Sequence, residues 1–482
     1  MLQLFLTHLQ GYKRQAVKVP ILIVLEVICE LLLPLVMSEI VDTAIPTGDV
    51  GYIFKMGLVM LALAGVAMFC GVFASKYAAF ASQGFGANLR QCLFDKVQEF
   101  SFADIDRFSS ASLITRMTND VNAMTMMLAM GLRMLVRAPV MLVAALCISF
   151  TLNAKLALVL VVVIPLMLIA VGGLMFICTR LFETMQKKID NLNNTLQENL
   201  VAIRVVKIFV RADYERKKFK KSNDELMDAA LAVGLRIIAI LPIMMLAMNG
   251  ATVAVLYFGG RMVMNATFDL GQLQAFINYI VQILMSVMMV AMSLLQLSRA
   301  QACAHRINEV LSTEPSVEDK PEAEKQVLPA PKGEVEFRDV SFKYVATGTG
   351  DDVLSHISFD VKPGQFVAIV GGTGTGKSSL VNLIPRFYEV TGGRILIDGQ
   401  DIQHVTLKSL REDIGIVQQD VFLFAGTIYD NIRYGRPDAT EAEIAAAAKK
   451  AEIYDDILEM PDGFQTYVGE RGVMLSGGQK QR

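Results

Sequence analysis

Long stretches without a single Asp, Glu, Lys or Arg recur in the first 300 residues, and they constrain the fold more than any other feature. A helix needs about 20 apolar residues to cross a hydrocarbon layer of about 30 Å. Such stretches separate Lys55 from Lys76, Lys155 from Arg180, Arg236 from Arg261 and Asp269 from Arg299, and a slightly shorter one separates Arg137 from Lys155. A further apolar run at 19–36 carries Glu26 and Glu30. Since no comparable run follows residue 300, the sequence predicts six membrane-spanning helices in its N-terminal part.

Composition excludes two broad classes of protein. Hydrophobic residues make up 53% of the 482 residues and charged residues only 19%, which is too apolar for an ordinary soluble enzyme. The formal net charge of −2 argues against a nucleic-acid partner. The six cysteines are scattered, mostly in apolar runs, and form neither a C-x-x-C pair nor a His/Cys cluster at zinc spacing. We interpret them as small packing residues.

The distribution of Lys and Arg predicts the orientation of the spans. Basic residues concentrate between the fourth and fifth spans, at 180–236, and such segments stay in the cytoplasm. We therefore expect both termini on the cytoplasmic side. The cytoplasmic connections, roughly 80–132 and 180–235, keep a helical apolar periodicity, so the membrane helices should continue beyond the bilayer. The N-terminal segment MLQLFLTHLQGYKRQAVK fits an interfacial helix rather than a cleavable signal.

The sequence changes character after the last span. Residues 312–332 carry four prolines among charged residues and are predicted to be a linker. Short β-rich runs, VEFRDVSFKY, FVAIV, RILIDG and IGIVQ, then alternate with helical segments, which is typical of a soluble α/β domain. We therefore expect an α-helical transmembrane domain at 1–311 and an α/β domain at 333–482.

The second domain contains a complete G-x-x-x-x-G-K-[ST] phosphate-binding loop. An apolar run at 366–370, predicted to be a strand, precedes the loop, and a helical run follows it. The glycines let backbone N–H groups surround phosphate oxygens, the lysine adds positive charge, and the last hydroxyl can reach Mg²⁺. The loop consists of Gly371, Gly372, Thr373, Gly374, Thr375, Gly376, Lys377 and Ser378, and Ser379 follows it.

A second motif near the C-terminus narrows the choice among phosphate-binding proteins. The run Leu475, Ser476, Gly477, Gly478 and Gln479 resembles the signature of the ATP-binding cassette (ABC) family. In that family the signature lies at a helix N-terminus and faces the terminal phosphate of an ATP held by another subunit. The resemblance implies ATP and Mg²⁺ as cofactors, Tyr344 as the aromatic that stacks on adenine, and Gln419 with Ser378 at the metal. The segment 466–472 (TYVGERG) resembles the exporter-type segment that precedes the signature.

The membrane part is similar to the exporter branch of the same family. The segment 104–121 (DIDRFSSASLITRMTNDV) resembles the first cytoplasmic loop of exporters, whose short transverse helix docks on a cassette. A second docking helix is expected near Phe209 to Lys217. Ala111 and the run at 131–139 (GLRMLVRAP) suit the heterodimeric multidrug-type branch. The resemblance implies a half-transporter that needs a second half, favours a heterodimer, and suggests export of drugs, lipids or other amphipathic compounds from a bacterium through its plasma membrane.

The resemblance also implies residues that do not occur before Arg482. In the family an Asp and a catalytic Glu at the end of an apolar strand, and then a switch histidine, follow the signature. We interpret the sequence as part of a longer protein and leave its catalytic residues unassigned. As given, the chain is expected to bind nucleotide weakly and not to hydrolyse ATP alone. We further hypothesise that this half lends its signature to an active site held by its partner.

Glu26 and Glu30 lie one helical turn apart within the first span, where two adjacent carboxylates cannot both stay charged cheaply. Arg133 and Arg137 have the same spacing in the third span and are candidate partners. The carboxylates could form a cavity site for cationic substrates or a proton, or a structural ion pair. We favour the structural ion pair.

Two other functions remain compatible with the same architecture. A nucleotide-gated channel or regulatory subunit would use both domains without pumping. A peptide exporter would also fit, although the chain begins directly with the interfacial helix and shows no N-terminal cysteine-protease domain.

Overall fold

A computed structural model describes residues 2–319, 327–328, 332–344, 352–419, 421–469 and 475–482. The chain divides into two compact units. The first comprises Met1–Phe100 and Phe108–Glu314, and the second comprises Ser101–Arg107 and Pro315–Arg482. A short segment from the N-terminal half thus belongs to the C-terminal unit.

The first unit is almost entirely helical in its described residues. Six of the helical segments there are long and apolar enough to cross a membrane, which confirms the six predicted spans: Lys13–Thr47, Val50–Glu99, Ser110–Leu152, Ala154–Val201, Ala212–Met264 and Leu270–Val290. The individual helices of this half of the chain are α1 (Leu2–His8), α2 (Lys13–Glu39), α3 (Ile45–Thr47), α4 (Val50–Gln98), α5 (Phe102–Phe108), α6 (Ser110–Thr115), α7 (Val121–Leu152), α8 (Ala154–Val201), α9 (Ile203–Ile208), α10 (Ala212–Met264) and α11 (Leu270–Ser312), with π-helical turns at Ile40–Ala44 and Arg116–Asp120.

The longest helices exceed the thickness of a bilayer. Helix α8 has 48 residues and α10 has 53, and at 1.5 Å per residue each is at least about 70 Å long. A hydrocarbon layer of about 30 Å covers less than half of that length. The remainder of each helix must therefore extend into water, as the periodicity of the sequence predicted.

The chain turns between α8 and α10. A short helix, α9, lies at Ile203–Ile208, and α10 begins at Ala212. The segment from Phe209 to Lys217 forms the turn and the first residues of α10, and its docking on a cassette stays a prediction. Val210 adopts a left-handed conformation with φ of 53° and reverses the chain between α9 and α10. Periodicity alone did not reveal this turn because the residues on both sides of it have helical patterns.

Hydrogen bonds join the first span to the last one. The hydroxyl of Tyr279, a fully buried residue of α11, donates to the carbonyl of Leu31 at 2.6 Å. Nearer the start of α11, the carboxylate of Asp42 accepts the backbone N–H groups of Gly271 at 2.6 Å and Gln272 at 3.1 Å. Since a helix leaves its first N–H groups without partners, Asp42 caps α11 from another helix.

Arg137 binds both acidic residues of the first span. One guanidinium nitrogen pairs with Glu26, and another lies 2.7 Å from each carboxylate oxygen of Glu30. Arg133 is an exposed residue of α7. The structure therefore contains the ion pair that we favoured and selects Arg137 as the partner.

The second unit is built on antiparallel sheets. One sheet has four strands in the order β2-β1-β3-β4, and Val335 of β1 pairs with Val361 of β2 and Ile397 of β3. The strands are β1 (Val335–Phe342), β2 (Leu354–Val361), β3 (Gly392–Ile397), β4 (Gln400–Asp401), β5 (Gly426–Thr427) and β6 (Tyr467–Val468), of which β5 pairs with β6. The helices are α12 (Lys377–Leu383), α13 (Leu407–Glu412), α14 (Ile428–Arg433), α15 (Glu441–Lys450), α16 (Tyr454–Leu458) and α17 (Gly477–Gln481), with 3₁₀ turns at Ile402–His404 and Gly463–Gln465.

Two predicted strands are not strands in the structure. The apolar runs at 366–370 and 414–418 are extended or irregular, and within the described residues no strand pairs with either. Phe366 is 97% exposed and Val370 is 90% exposed. A strand is defined by hydrogen bonds to a neighbour, so an apolar sequence with β-branched residues forms one only where a neighbouring strand is present.

Candidate nucleotide-binding site

The phosphate-binding loop adopts a conformation that depends on its glycines. Gly374 and Gly376 both have φ of +85°, a left-handed conformation that side chains with a Cβ rarely adopt. At Gly376 a Cβ would also lie 2.8 Å from Leu354 Cδ2 and 3.0 Å from the carbonyl of Val353. Gly376 precedes α12, whose first turn exposes backbone N–H groups. The loop is therefore shaped by backbone geometry rather than by side-chain packing.

Lys377 lies folded over the loop that precedes it. Its ammonium donates to the carbonyls of Gly371 at 3.0 Å and Gly372 at 2.6 Å, and the Thr375 hydroxyl donates to the Gly372 carbonyl at 3.0 Å. Residues 371–375 are exposed. A positive charge thus lies at the edge of an open loop, where anionic oxygens can replace the carbonyls as its partners.

The two serines after Lys377 have different surroundings. Ser378 is exposed on the first turn of α12, so its hydroxyl can approach a metal ion. Ser379 is 6% exposed, and its hydroxyl lies 2.9 Å from that of Tyr344. The structure therefore places Ser379 on the buried side of α12, facing Tyr344, rather than at the open face.

Tyr344 is part of an aromatic cluster beside the loop helix. Its ring meets those of Phe342 and Tyr388 edge to face, with centroids 4.8 and 5.2 Å apart. The same residues border a cavity of about 530 Å³, together with Lys343 and Thr391. The structure thus brings the predicted adenine-stacking residue next to the phosphate loop, although a long stretch of sequence separates Tyr344 from Lys377.

The signature lies at a helix N-terminus, as the resemblance implied. Ser476 caps α17: its hydroxyl accepts the N–H of Gln479 at 3.2 Å, and the Gln479 side chain accepts the N–H of Ser476 at 3.0 Å. Gly477 and Gly478 are exposed. Residues 470–474, which include part of the TYVGERG segment, lie outside the described residues.

Gln419 is exposed on a bend. Among the described residues no hydrogen bond joins Gln419 or the signature to residues 371–378, whereas the Tyr344 hydroxyl lies 2.9 Å from that of Ser379, the residue after the loop.

Sequence reasoning missed Tyr388. Its hydroxyl donates to the carboxylate of Asp106 at 2.8 Å, and the ring of Phe102 contacts that of the neighbouring Phe387 at a tilt of 41°, with centroids 4.5 Å apart. Burial and the hydrogen bond to Asp106 raise the pKa of Tyr388 well above its usual value. The aromatic pair at 387–388 was the available signal, but a sequence does not show which distant helix such a pair contacts.

Two family models match the chain. Residues 17–287 match the ABC transporter transmembrane region, and residues 354–482 match the ABC transporter model itself. The chain belongs to the ABC transporter family. It is an exporter half, with a transmembrane domain and an ATPase domain in one polypeptide, and the multi-pass ABC half-transporters generally dimerise in the lipid bilayer.

Curated ABC transporters from two groups of bacteria are similar to this one. The "Uncharacterized ABC transporter ATP-binding protein YfiB" of Bacillus subtilis (strain 168) is 37% identical over 481 residues, covering 100% of this chain and 83% of that protein. The "Putative multidrug export ATP-binding/permease protein YgaD" of the same organism is 32% identical over 496 residues, covering 99% and 83%. A "Fatty acid ABC transporter ATP-binding/permease protein" of Mycobacterium bovis (strain ATCC BAA-935 / AF2122/97) is 37% identical over 393 residues, covering 82% and 61%.

Membership of this family implies ATP with Mg²⁺ as the ligand of the second domain. The residues present fit such a ligand, since the exposed glycines, the ammonium of Lys377 and the exposed hydroxyl of Ser378 are the groups that a metal-bound triphosphate requires. When bound, the metal would neutralise phosphate charge. The chain's own contribution is to shape the loop and to hold Lys377 at its edge.

Proposed function

We propose that this chain, paired with a second half-transporter, uses ATP to move amphipathic compounds such as drugs or lipids out of the cell. The observation that supports the proposal is an exposed glycine loop, with Gly374 and Gly376 in the left-handed conformation, in the same polypeptide as six spans. The names of the multidrug and fatty-acid relatives favour an apolar or amphipathic substrate.

Lys377 provides the direct test of nucleotide binding. Lys377→Ala removes the loop's ammonium and should weaken binding of trinitrophenyl-ATP by at least tenfold, because a charged hydrogen bond contributes roughly 1.5–3 kcal/mol. The full-length protein with its partner, in nanodiscs, is the material for this titration. Lys362→Ala, at a residue outside the loop, is the matched control and should leave the affinity unchanged. Equal affinities in all three proteins would contradict the proposed site.

Transport is tested with the same assembly in proteoliposomes. We expect ATP-dependent accumulation of an amphipathic dye or a fluorescent fatty acid, with ATPase activity that rises with the transported compound. An ATP-dependent ionic conductance without accumulation would instead indicate a channel. Accumulation of peptides alone would indicate a peptide exporter.

The surface around α9 supports assembly with a second subunit. Ile208 is 74% exposed, Phe209 70% and Val210 84%, and these residues lie where α8 turns into α10. Three adjacent apolar side chains in water are unfavourable unless a partner covers them. We propose that the partner's cassette does so, as the exporter branch implies.

Substitution of this apolar turn should separate assembly from folding. Ile208→Asp with Phe209→Asp should leave folding nearly unchanged, because both residues are exposed, but should lower the ATPase rate of the assembly by at least tenfold. Met227→Asp, at another exposed apolar residue of α10, is the control. A normal ATPase rate in the double variant would show that this surface does not dock.

We favour a heterodimer in which this half donates its signature to the partner's active site while its own loop retains nucleotide longer. This arrangement predicts that the two variants lose ATPase activity to different extents. Ser476→Ala should abolish ATP turnover in the assembly, whereas the loss of turnover in Lys377→Ala should be several-fold smaller. Equal losses, or an ATPase-active dimer formed by this chain alone, would contradict the arrangement. That residues 1–482 alone do not hydrolyse ATP stays a prediction.

The proposed sites and topology otherwise follow the sequence. Tyr344 is assigned to adenine, Ser378 and Gln419 to Mg²⁺, and residues 371–379 to the phosphates, with Ser476 to Gln479 facing a partner's ATP. Both termini and the cassette are assigned to the cytoplasm. Labelling of Asn153→Cys, but not of Lys217→Cys, by an impermeant maleimide on intact cells would support this orientation, and the reverse pattern would overturn it.

A further inference from the structure

Asp104, near the start of the first transverse helix α5, lies at the centre of a hydrogen-bond cluster. It is 5% exposed. Its carboxylate accepts the N–H of Ser101 at 2.9 Å and the Ser101 hydroxyl at 2.7 Å. It also accepts the N–H of Ser316 at 3.0 Å and the Ser316 hydroxyl at 2.8 Å, across 212 residues of sequence. One side chain therefore joins α5 to the segment that follows α11.

The bonds to Ser101 alone would make Asp104 an ordinary helix cap. Ser101 and Asp104 form a reciprocal pair, because the Ser101 hydroxyl also accepts the N–H of Asp104 at 3.3 Å. A cap of this kind does not use the two bonds to Ser316. Those bonds do something further, since they attach a distant segment to the helix.

The segment containing Ser316 is also attached to the cassette. The guanidinium of Arg386, which is 2% exposed, donates to the carbonyl of Glu318 at 3.1 Å. The carboxylate of Asp319 accepts the N–H of Leu407, the first residue of α13, at 2.7 Å. Val317 is 4% exposed. Residues 316–319 are thus fixed along their length, although the sequence of 312–332 predicted a linker.

Chain connectivity makes this attachment mechanically relevant. Helix α4 ends at Gln98, three residues before Ser101, and α11 ends at Ser312, four residues before Ser316. The helices that contain the second and sixth spans therefore both end within four residues of a serine that bonds to one carboxylate.

We propose that Asp104 is a positioning residue for transport, which fastens α5, the segment 315–319 and the cassette into one body. This rests on the proposed ATP-driven transport. When the cassette moves with ATP, both chain segments that lead into the spans then move with it. Without the bonds to Ser316, the cassette can bind and hydrolyse ATP while α5 and the second span no longer move together with the segment 315–319.

The test measures movement in the spans separately from nucleotide turnover. Val50 and Asn265, both exposed at span ends, are replaced by p-acetylphenylalanine and carry ketone-reactive spin labels in the full-length assembly in nanodiscs. ATP with vanadate should shift the distance between the labels. In Asp104→Ala we expect that shift to fall at least twofold, while trinitrophenyl-ATP affinity and basal ATPase rate stay within twofold of the unsubstituted protein.

A covalent bond should replace the carboxylate. The hydroxyls of Ser101 and Ser316 lie 2.6 Å apart, so Ser101→Cys with Ser316→Cys can form a disulfide there. Added to Asp104→Ala, the oxidised pair should restore the label shift and the reduced pair should not. Ser101→Cys alone, treated identically, is the control for the six native cysteines. If Asp104 acted only as the cap of α5, a disulfide between positions 101 and 316 would not restore the label shift.

The outcomes separate the two proposals. If the unsubstituted assembly shows no label shift with ATP and vanadate, the transport proposal fails and the role of Asp104 fails with it. A full shift in Asp104→Ala, or no restoration by the disulfide, overturns the role of Asp104 alone. If Asp104→Ala lowers the yield of folded protein, Ser316→Ala decides, because it keeps the pair of Ser101 with Asp104 and loses the hydroxyl contacts of Ser316 with Asp104 and Ser101. A full shift in that variant is also contrary to the proposal.

Discussion

Arg137 in the first unit and Asp104 in the second each join segments that are far apart in sequence, but they use opposite kinds of partner. Arg137 binds two carboxylates, those of Glu26 and Glu30, which lie 111 and 107 residues earlier. Asp104 accepts hydrogen bonds from neutral donors, the N–H and hydroxyl groups of Ser101 and Ser316. Both arrangements connect a short-range motif to a distant element.

The difference follows from the two environments. Within an apolar span no water is available to solvate a charge, so an ionic group needs a countercharge close by. In the second unit, backbone N–H groups stabilise a carboxylate at a helix start without a cation. The cluster at Arg137 still has two carboxylates for one guanidinium, which makes it the more sensitive of the two to substitution.

The largest effect is therefore expected at Arg137. Arg137→Leu leaves Glu26 and Glu30 without a cation and should destabilise the protein by about 3 kcal/mol, the lower end of the cost of unpairing a buried charge, because both carboxylates are partly buried. The free energy of unfolding in mixed micelles measures this. Arg133→Leu, at the exposed arginine one turn earlier, should cost less than about 0.5 kcal/mol.

Neutralising the carboxylates should reverse that loss. Arg137→Leu combined with Glu26→Gln and Glu30→Gln should recover most of the stability. If Arg137→Leu and Arg133→Leu lowered the free energy of unfolding equally, the proposed need for a countercharge within the spans would be contradicted.

An intermediate effect is expected at Arg306, which lies beyond the sixth apolar span. Its Nε and Nη2 atoms bind the two carboxylate oxygens of Asp120 at 2.7 and 2.5 Å, and Asp120 is only 3% exposed. Arg306→Lys keeps the charge but cannot form both bonds, so it should cost about 1 kcal/mol, and Arg306→Ala about 2 kcal/mol. Equal losses in the two variants would show that the paired geometry, and not the charge, matters here.

The smallest effect is a pH dependence at Asp104. Burial alone would raise the pKa of this carboxyl, but the hydrogen bonds from Ser316 and Ser101 outweigh burial and hold the pKa below its usual value. The carboxylate therefore stabilises the fold above the ordinary Asp pKa of about 3.9, and this contribution is lost as the pH falls below that value. Its size should not exceed about 1 kcal/mol, the worth of an ordinary hydrogen bond.

Acid unfolding of Asp104→Asn measures this contribution. Between pH 5 and 3 the unfolding temperature of the unsubstituted protein should fall more steeply than that of the variant. Parallel curves would mean that neutral donors do not stabilise this charge.

The spans and the phosphate loop could be predicted because each depends on nearby residues. A long uncharged apolar run can only be accommodated in an apolar environment, and the glycines at Gly374 and Gly376 permit a left-handed backbone wherever they occur. The strand predicted at 366–370 was wrong for the opposite reason, because a strand needs a neighbour that its own sequence does not supply. The turn at Val210 could not be located from the sequence because helical periodicity continues on both sides of it.

The sequence predicted the partners of only some side chains. The spacing of Glu26 and Glu30 indicated that a cation was needed, and two arginines of equal spacing were candidates, but only the packing of α2 against α7 selected Arg137. Nothing near Asp104 in the sequence indicates Ser316, and nothing near Tyr388 indicates Asp106.

The sequence by itself determined that the chain has six apolar spans and a glycine-rich phosphate-binding loop, because hydropathy and glycine conformation depend on near neighbours along the chain. Only the tertiary structure decided that residues 101–107 leave the helical unit to join the cassette and that Asp104 fastens the chain after the last span. Those contacts join residues from opposite parts of the chain, and the side chains that make them are ordinary serines, aspartates and aromatics until the fold places them together.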